Sequence, residues 1–202
     1  MKTALIGGSF NPPHYGHSHL IDLIRDHSDY TRVILVPLHT PNHKPVDSII
    51  APYHRVEMVR RLISTCDFPC ILDTCEIERG GISYTYDTIL DIEKRYEDVG
   101  EPIGVVIGDD LLDGLSAWYR VDDLKRMVRF IVICREEVVS AARQKLVRLT
   151  REGFSIALIE GTRVDISSSD IRNRIGQGLD ISELLPKEVA SYIEEHGLYS
   201  ED

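Results

Sequence analysis

Six short, apolar, β-branched runs recur along the 202-residue chain, and most are followed by a segment whose apolar residues return every three to four positions. The runs predict strands over residues 3–6, 32–37, 70–77, 103–107, 130–134 and 155–159, and the periodic segments predict helices over 17–26, 52–64, 84–96, 121–127 and 138–151. Pro52 suits a first helical position, where its missing N–H costs little, and Ser83 suits an N-cap. Strand–helix alternation of this kind implies a Rossmann-like α/β fold, a parallel sheet with helices on both faces. After residue 160 the pattern changes to helices alone, one starting near Ser167 and one over 186–196. No low-complexity linker, repeat or composition break divides the chain. The expectation is one domain over 1–202, with about 160–202 as a helical C-terminal extension.

The first predicted strand runs into Gly7-Gly8-Ser9-Phe10-Asn11-Pro12-Pro13-His14-Tyr15-Gly16-His17. Paired glycines at a strand end let backbone N–H groups approach an anion, and the helix that follows adds its partial positive charge. The imidazoles of His14 and His17 can donate hydrogen bonds to phosphate oxygens, more strongly when protonated. Neither the dinucleotide glycine pattern nor the P-loop is present, since both spacings are absent. Singly, each histidine reads as a cap or a core residue; two of them framing Gly16 after a Gly-Gly turn favour polyphosphate binding. A zinc reading of His14, His17 and His19 needs His14 to be helical, which Pro12-Pro13 opposes.

Hydrophobic content of 43% and charged content of 28% are ordinary for a globular protein. A formal charge of −10 argues against nonspecific nucleic-acid binding, which needs a basic footprint. An anionic substrate would therefore be attracted by a local positive site or by a metal, not by the field of the whole protein. No stretch approaches the ~20 apolar residues of a membrane span, and Met1-Lys2 leads straight into a strand, so the expectation is a cytoplasmic protein with no membrane partner. Cys66, Cys70 and Cys75, spaced C-x3-C-x4-C, match no common zinc pattern. Together with Cys134 they read as reduced cysteines in or beside strands.

A second anion candidate is Ile166-Ser167-Ser168-Ser169-Asp170-Ile171-Arg172. Ser167 and Asp170 have the spacing of a capping box, which places the serines at a helix start beside the guanidinium of Arg172. Alone this is an ordinary capped helix; beside the N-terminal turn it becomes the second anchor that a triphosphate requires. Lys44 lies in a proline-punctuated loop just past the second strand, on the ligand edge. Gly81-Ile82-Ser83-Tyr84-Thr85-Tyr86-Asp87-Thr88 is rich in hydroxyls at a helix entrance and is either a solvated cap or a place where amides meet another anion. Gly108-Asp109-Asp110 ends the fourth strand, where Asp109 could hold a ribose hydroxyl or sit near a metal. The single tryptophan, Trp118, fits either a core or a platform for a flat heteroaromatic ring. Arg135, at the end of the fifth strand, could reach adenine or phosphate.

Strand, Gly-Gly, Phe, Pro-Pro and H-x-G-H in that order resemble the class I H-x-G-H nucleotidyltransferases. With the Asn42-His43-Lys44 loop, the 83–88 segment, Gly108-Asp109 with Trp118, the Ser167 to Arg172 run and Val189-Ala190-Ser191-Tyr192-Ile193, the sequence resembles the bacterial nicotinate-nucleotide adenylyltransferases over nearly its whole length. Asn11 stands where that family often has Asp, and Ser169 where Thr is common. The resemblance implies adenylyl transfer from ATP to nicotinate mononucleotide in NAD biosynthesis. It implies that His14, His17, Gly8, Ser9, Phe10, Ser167, Ser168 and Arg172 serve the ATP phosphates, with Gly7, Gly108 and Arg135 as further nucleotide contacts. Lys44, Tyr84, Thr85, Asp109 and Trp118 would serve the acceptor nucleotide, Trp118 by stacking on the pyridine ring and the amides near Tyr84 and Thr85 by receiving its carboxylate. Mg²⁺ would be held by phosphates and water, without a dedicated carboxylate cage. Other acceptors, such as nicotinamide mononucleotide, phosphopantetheine or glycerol 3-phosphate, remain open, as do a nucleotide sensor without turnover and a homo-oligomeric state.

Overall fold

A computed structural model describes residues 1–40, 49–100, 102–134, 139–161 and 164–200. Its six strands, β1 (Thr3–Gly8), β2 (Arg32–Pro37), β3 (Cys70–Leu72), β4 (Ile103–Gly108), β5 (Val128–Cys134) and β6 (Ile156–Glu160), form one sheet in the order β3-β2-β1-β4-β5-β6. All five pairings are parallel. The helices α1 (Tyr15–His27), α2 (Pro52–Ile63), α3 (Cys75–Arg79), α4 (Thr85–Arg95), α5 (Val121–Met127), α6 (Val139–Arg151), α7 (Ser168–Gly176) and α8 (Lys187–Glu195) cover it. This is a Rossmann-like sheet. Its strand order reverses between β1 and β4, so the chain leaves a crevice past the carboxyl ends of those two strands.

Successive residues of a strand point to opposite faces, and both faces are buried, which is why the strands read as unbroken apolar runs. Ala4, Ile6, Val33, Leu35, Ile131 and Ile133 pack on one side with residues of α1, α2, α7 and α8. Leu5, Ile34, Val36, Val105, Ile107, Phe130 and Val132 pack on the other with residues of α4, α5 and α6. Ile171, Leu185, Val189 and Ile193 belong to the first of these cores. The C-terminal helices are therefore part of the cover of the sheet, not an appendage to it.

Three expectations are corrected. The strand predicted over 70–77 stops at Leu72, and α3 begins at Cys75. Asp73 turns the chain there by accepting the Cys75 N–H at 2.8 Å, a local side-chain bond that competes with the strand ladder. The first helix starts at Tyr15, two residues before the predicted 17, because His14 supplies the cap. Ser83 does not cap α4: Tyr84 occupies the cap position without a side-chain bond, while the Ser83 hydroxyl accepts the His39 N–H at 3.1 Å. Two 3₁₀ turns, over 109–111 and 115–117, fill the stretch between β4 and α5 where no element was predicted.

The start of α7 lies against the N-terminal turn. The Ser168 hydroxyl donates to the Pro12 carbonyl at 2.8 Å, and Arg172 Nη1 donates to the Asn11 carbonyl at 2.8 Å. The Tyr15 N–H reaches the Leu184 carbonyl at 3.0 Å, and the Tyr199 hydroxyl reaches Asn11 Oδ1 at 2.9 Å. Ile171, fully buried, fixes this docking from below. Ile171→Ala is expected to cost about 2–4 kcal/mol of stability, read as a lower urea midpoint with an unchanged denaturant slope.

Candidate active site

At the carboxyl end of β1 the chain turns through Ser9 into Phe10, whose φ of +47° lies in the left-handed region. That conformation costs a non-glycine residue about 1–2 kcal/mol, so surrounding structure must impose it. Phe10 is completely buried. Its ring lies 4.8 Å, centroid to centroid, from that of His17, and a Cβ on Gly8 would come within 3.4 Å of it. Gly8 thus leaves room for the buried ring as well as for backbone amides.

His14 and His17 cap α1 through a reciprocal pair of bonds. His14 Nδ1 accepts the Gly16 N–H at 3.1 Å, and His17 Nδ1 accepts the His14 N–H at 3.2 Å. Because each Nδ1 is an acceptor, the proton of each neutral ring sits on Nε2. The rings lie 4.0 Å apart, and a Cβ at Gly16 would come within 2.9 Å of the His14 ring, which explains the glycine between them. Burial pulls the His14 imidazole down to about 4. Burial, followed by the neighbouring His14, holds His17 well below the ordinary imidazole value. Both histidines are therefore neutral Nε2–H donors at neutral pH, not imidazolium cations. The capping role and the phosphate role considered for these residues use different nitrogens and are compatible.

At the other anchor, Ser167 caps α7 by accepting the Asp170 N–H at 3.1 Å, as the spacing predicts. The return bond differs: the Ser167 hydroxyl donates to Asp170 Oδ2 at 2.6 Å. Ser168 and Arg172 spend donors on Pro12 and Asn11, which holds the first turn of α7 beside the histidine-capped start of α1. Two helix N-termini of the chain thus converge on one polypeptide turn, that of α1 with its first amides already bonded to Leu184 and His14.

On the far side of that turn a cavity of about 580 Å³ opens at the β1/β4 reversal. Gly7, Gly8 and Ser9 line it together with Tyr84, Thr85 and Trp118. The N-terminus of α4 carries no side-chain cap, so its first amides are available to an anion. Trp118 also packs edge-on against Phe130, with centroids 5.9 Å apart, so it serves core and cavity at once. Tyr84 and Tyr119, with ring centroids 4.6 Å apart, add aromatic wall. The acidic groups on the lining are Glu76 and Asp110, and among the described residues no Lys, Arg or His lines it.

His14, His17, Ser167, Ser168 and Arg172 do not line this cavity, nor do Asp109 and Gly108. Asp109 opens a 3₁₀ turn, and the carboxylate of Asp110 folds back over the place where a Gly108 Cβ would stand. Lys44 and Arg135 lie outside the described residues. Sequence reading passed over Glu76, hidden in what was taken for a strand, and Arg55, the largest fully buried side chain. Arg55 left a signal: it falls in phase with Met58, Val59 and Leu62 on the apolar face of α2.

Residues 5–174 match the cytidylyltransferase-like family. A protein of Borreliella burgdorferi named "Probable nicotinate-nucleotide adenylyltransferase" is 36% identical over 199 residues, covering 98% of this chain and 97% of its own. One of the same name from Lactiplantibacillus plantarum is 33% identical over 202 residues, covering 100% and 89%. In fold, the chain resembles Plasmodium falciparum nicotinic acid mononucleotide adenylyltransferase complexed with NaAD, with a TM-score of 0.76, 22% identity and 98% coverage of each chain.

The histidine geometry has a consequence for pH. An unfolded His14 takes up its proton near 6.5, but the folded one resists until about 4. Folding stability is therefore complete above pH 6.5 and falls as the pH drops through the window between those values. His14→Asn, which can still cap but does not titrate, is expected to remove roughly 3 kcal/mol of that pH dependence, read by urea denaturation at pH 7.5 and pH 4. Equal pH slopes in the two proteins would contradict a buried neutral imidazole.

Proposed function

We propose that this chain, which belongs to the nicotinate-nucleotide adenylyltransferases of the cytidylyltransferase-like family, transfers the adenylyl group of ATP to nicotinate mononucleotide in NAD biosynthesis. The observation that carries the reading is the convergence, in one cavity at the strand-order reversal, of the glycine turn, the uncapped start of α4 and Trp118. A pyridine ring fits against Trp118, with its carboxylate on the amides at Tyr84 and Thr85. The adjoining polyphosphate lies over the turn shared by α1 and α7.

The chemistry needs no covalent intermediate. The 5′-phosphate of the acceptor is already an anionic nucleophile, so no general base is required. One of its oxygens bonds to the α-phosphorus in line, the bond from that phosphorus to the β-bridging oxygen breaks, and pyrophosphate leaves with the electron pair. The protein positions the two phosphates and supplies neutral donors to the charge that develops: Nε2–H of His14 and His17, and the amides at Gly8, Ser9 and the start of α7. A Mg²⁺ would be carried by the phosphates and water, with no dedicated carboxylate cage. When bound there, the ion neutralises phosphate charge.

A second reading, with nicotinamide mononucleotide as acceptor, is favoured by one observation: two carboxylates and no basic side chain line the cavity among the described residues. The acid form then depends on backbone amides alone. Pyrophosphate release from ATP with each acceptor decides between them, and a kcat/KM higher for the amide would replace the first reading with the second. Binding of ATP without acceptor-dependent pyrophosphate would make the protein a sensor.

His17→Ala is expected to lower kcat by about 10²-fold or more, the scale of one transition-state donor, in a protein that still folds. Near-normal turnover would remove His17 from the mechanism. Trp118→Ala is expected to raise the KM for the acceptor nucleotide and leave that for ATP unchanged; the reverse pattern would place the pyridine ring elsewhere.

A further inference from the structure

Arg55 stands where the periodicity of α2 asks for an apolar residue, and it is 0% exposed. A guanidinium so placed loses its hydration, and replacement by a hydrophobe of similar volume commonly stabilises a protein. Among the described residues no carboxylate comes within ion-pair distance of it. Burial pulls its pKa down, and Tyr199 and Glu76 offset this only from a distance. Its bonds go to backbone: Nη1 donates to the Ser9 carbonyl at 2.9 Å, and Nε donates to the Ile50 carbonyl at 3.3 Å. Nη2 is buried with no hydrogen-bond partner among the described residues. An arrangement this unfavourable to stability points to a role in the site.

Both carbonyls matter. Ser9 lines the cavity, and in its trans peptide the Phe10 N–H must point opposite to the Ser9 carbonyl, away from the guanidinium. Drawing the carbonyl inward therefore turns that amide outward. Ile50 is the second residue after the segment 41–48, and its N–H is held by Asn11 Oδ1 at 3.4 Å. One rigid fork thus joins the phosphate turn to Ile50, ahead of α2.

We propose that Arg55 is a positioning residue for adenylyl transfer, which aims the Ser9–Phe10 peptide N–H at the nucleotide phosphates and sets an unpaired positive charge behind it. This rests on the function proposed above. A lysine keeps the charge but cannot bridge two carbonyls as a planar fork does, and a methionine keeps only the volume.

The test compares the wild type with Arg55→Lys and Arg55→Met, with kcat expressed per folded molecule and KM measured for each substrate. The expected result is a kcat lowered about 10-fold in the lysine variant and about 100-fold in the methionine variant, the scale of one misaligned transition-state donor. ATP affinity should weaken in parallel, while the KM for nicotinate mononucleotide stays within about twofold, because the Trp118 wall is untouched. A kcat per folded molecule within about threefold of wild type in both variants overturns the proposal. So does a rise in both KM values with kcat preserved, or failure of both variants to fold, since each makes Arg55 merely structural. A wild type without acceptor-dependent pyrophosphate release instead removes the underlying function, so the two failures are distinguishable.

Discussion

Two hydrogen bonds, from Ser168 to Pro12 and from Arg172 to Asn11, span 156 and 161 residues of chain and decide the shape of the site. They bring the start of α7 against the turn that leads into α1, so that two helix dipoles address the same volume. A helix N-terminus is a weak anion site by itself. Two of them sharing one turn match a chain of phosphates, which presents negative charge on several sides. The apolar anchor Ile171 and the tail contacts of Leu184 and Tyr199 hold this arrangement from the core side.

The site works against an unfavourable background field. The chain carries a formal charge of −10, and the cavity itself is lined by Glu76 and Asp110. His14 and His17, at the start of α1, are held neutral by burial. Among the described residues, attraction for anionic substrates falls to oriented dipoles and to Arg172, with the buried charge of Arg55 in the role proposed above. Preorganised neutral donors have an advantage here, because they need no proton uptake and no reorganisation when phosphate charge shifts during transfer.

The same economy of residues runs through the turn. Nδ1 of each histidine closes the cap of α1 while Nε2 is left as a donor, so building the helix start does not use up the side chain. Gly16 is small because the His14 ring lies over it, and Gly108 because the Asp110 carboxylate does. Trp118 divides itself between Phe130 and the cavity. Structural and functional readings of these positions are geometrically compatible.

Sequence alone determined the parallel α/β layout, the glycine turn and the Ser167 cap, because each is written in local periodicity or in turn chemistry a few residues long. It misread residues 73–77, where a single Asp73 side-chain bond turns the chain out of the strand, and it placed the cap of α4 one residue early. Of the pair that opens the 3₁₀ turn after β4, it is Asp110 that lines the cavity. The neutrality of the histidines, the burial of Arg55 and the meeting of α7 with Asn11 and Pro12 belong to the tertiary structure. Desolvation and contacts across more than 150 residues are collective properties of a packed chain, and no window of sequence contains them.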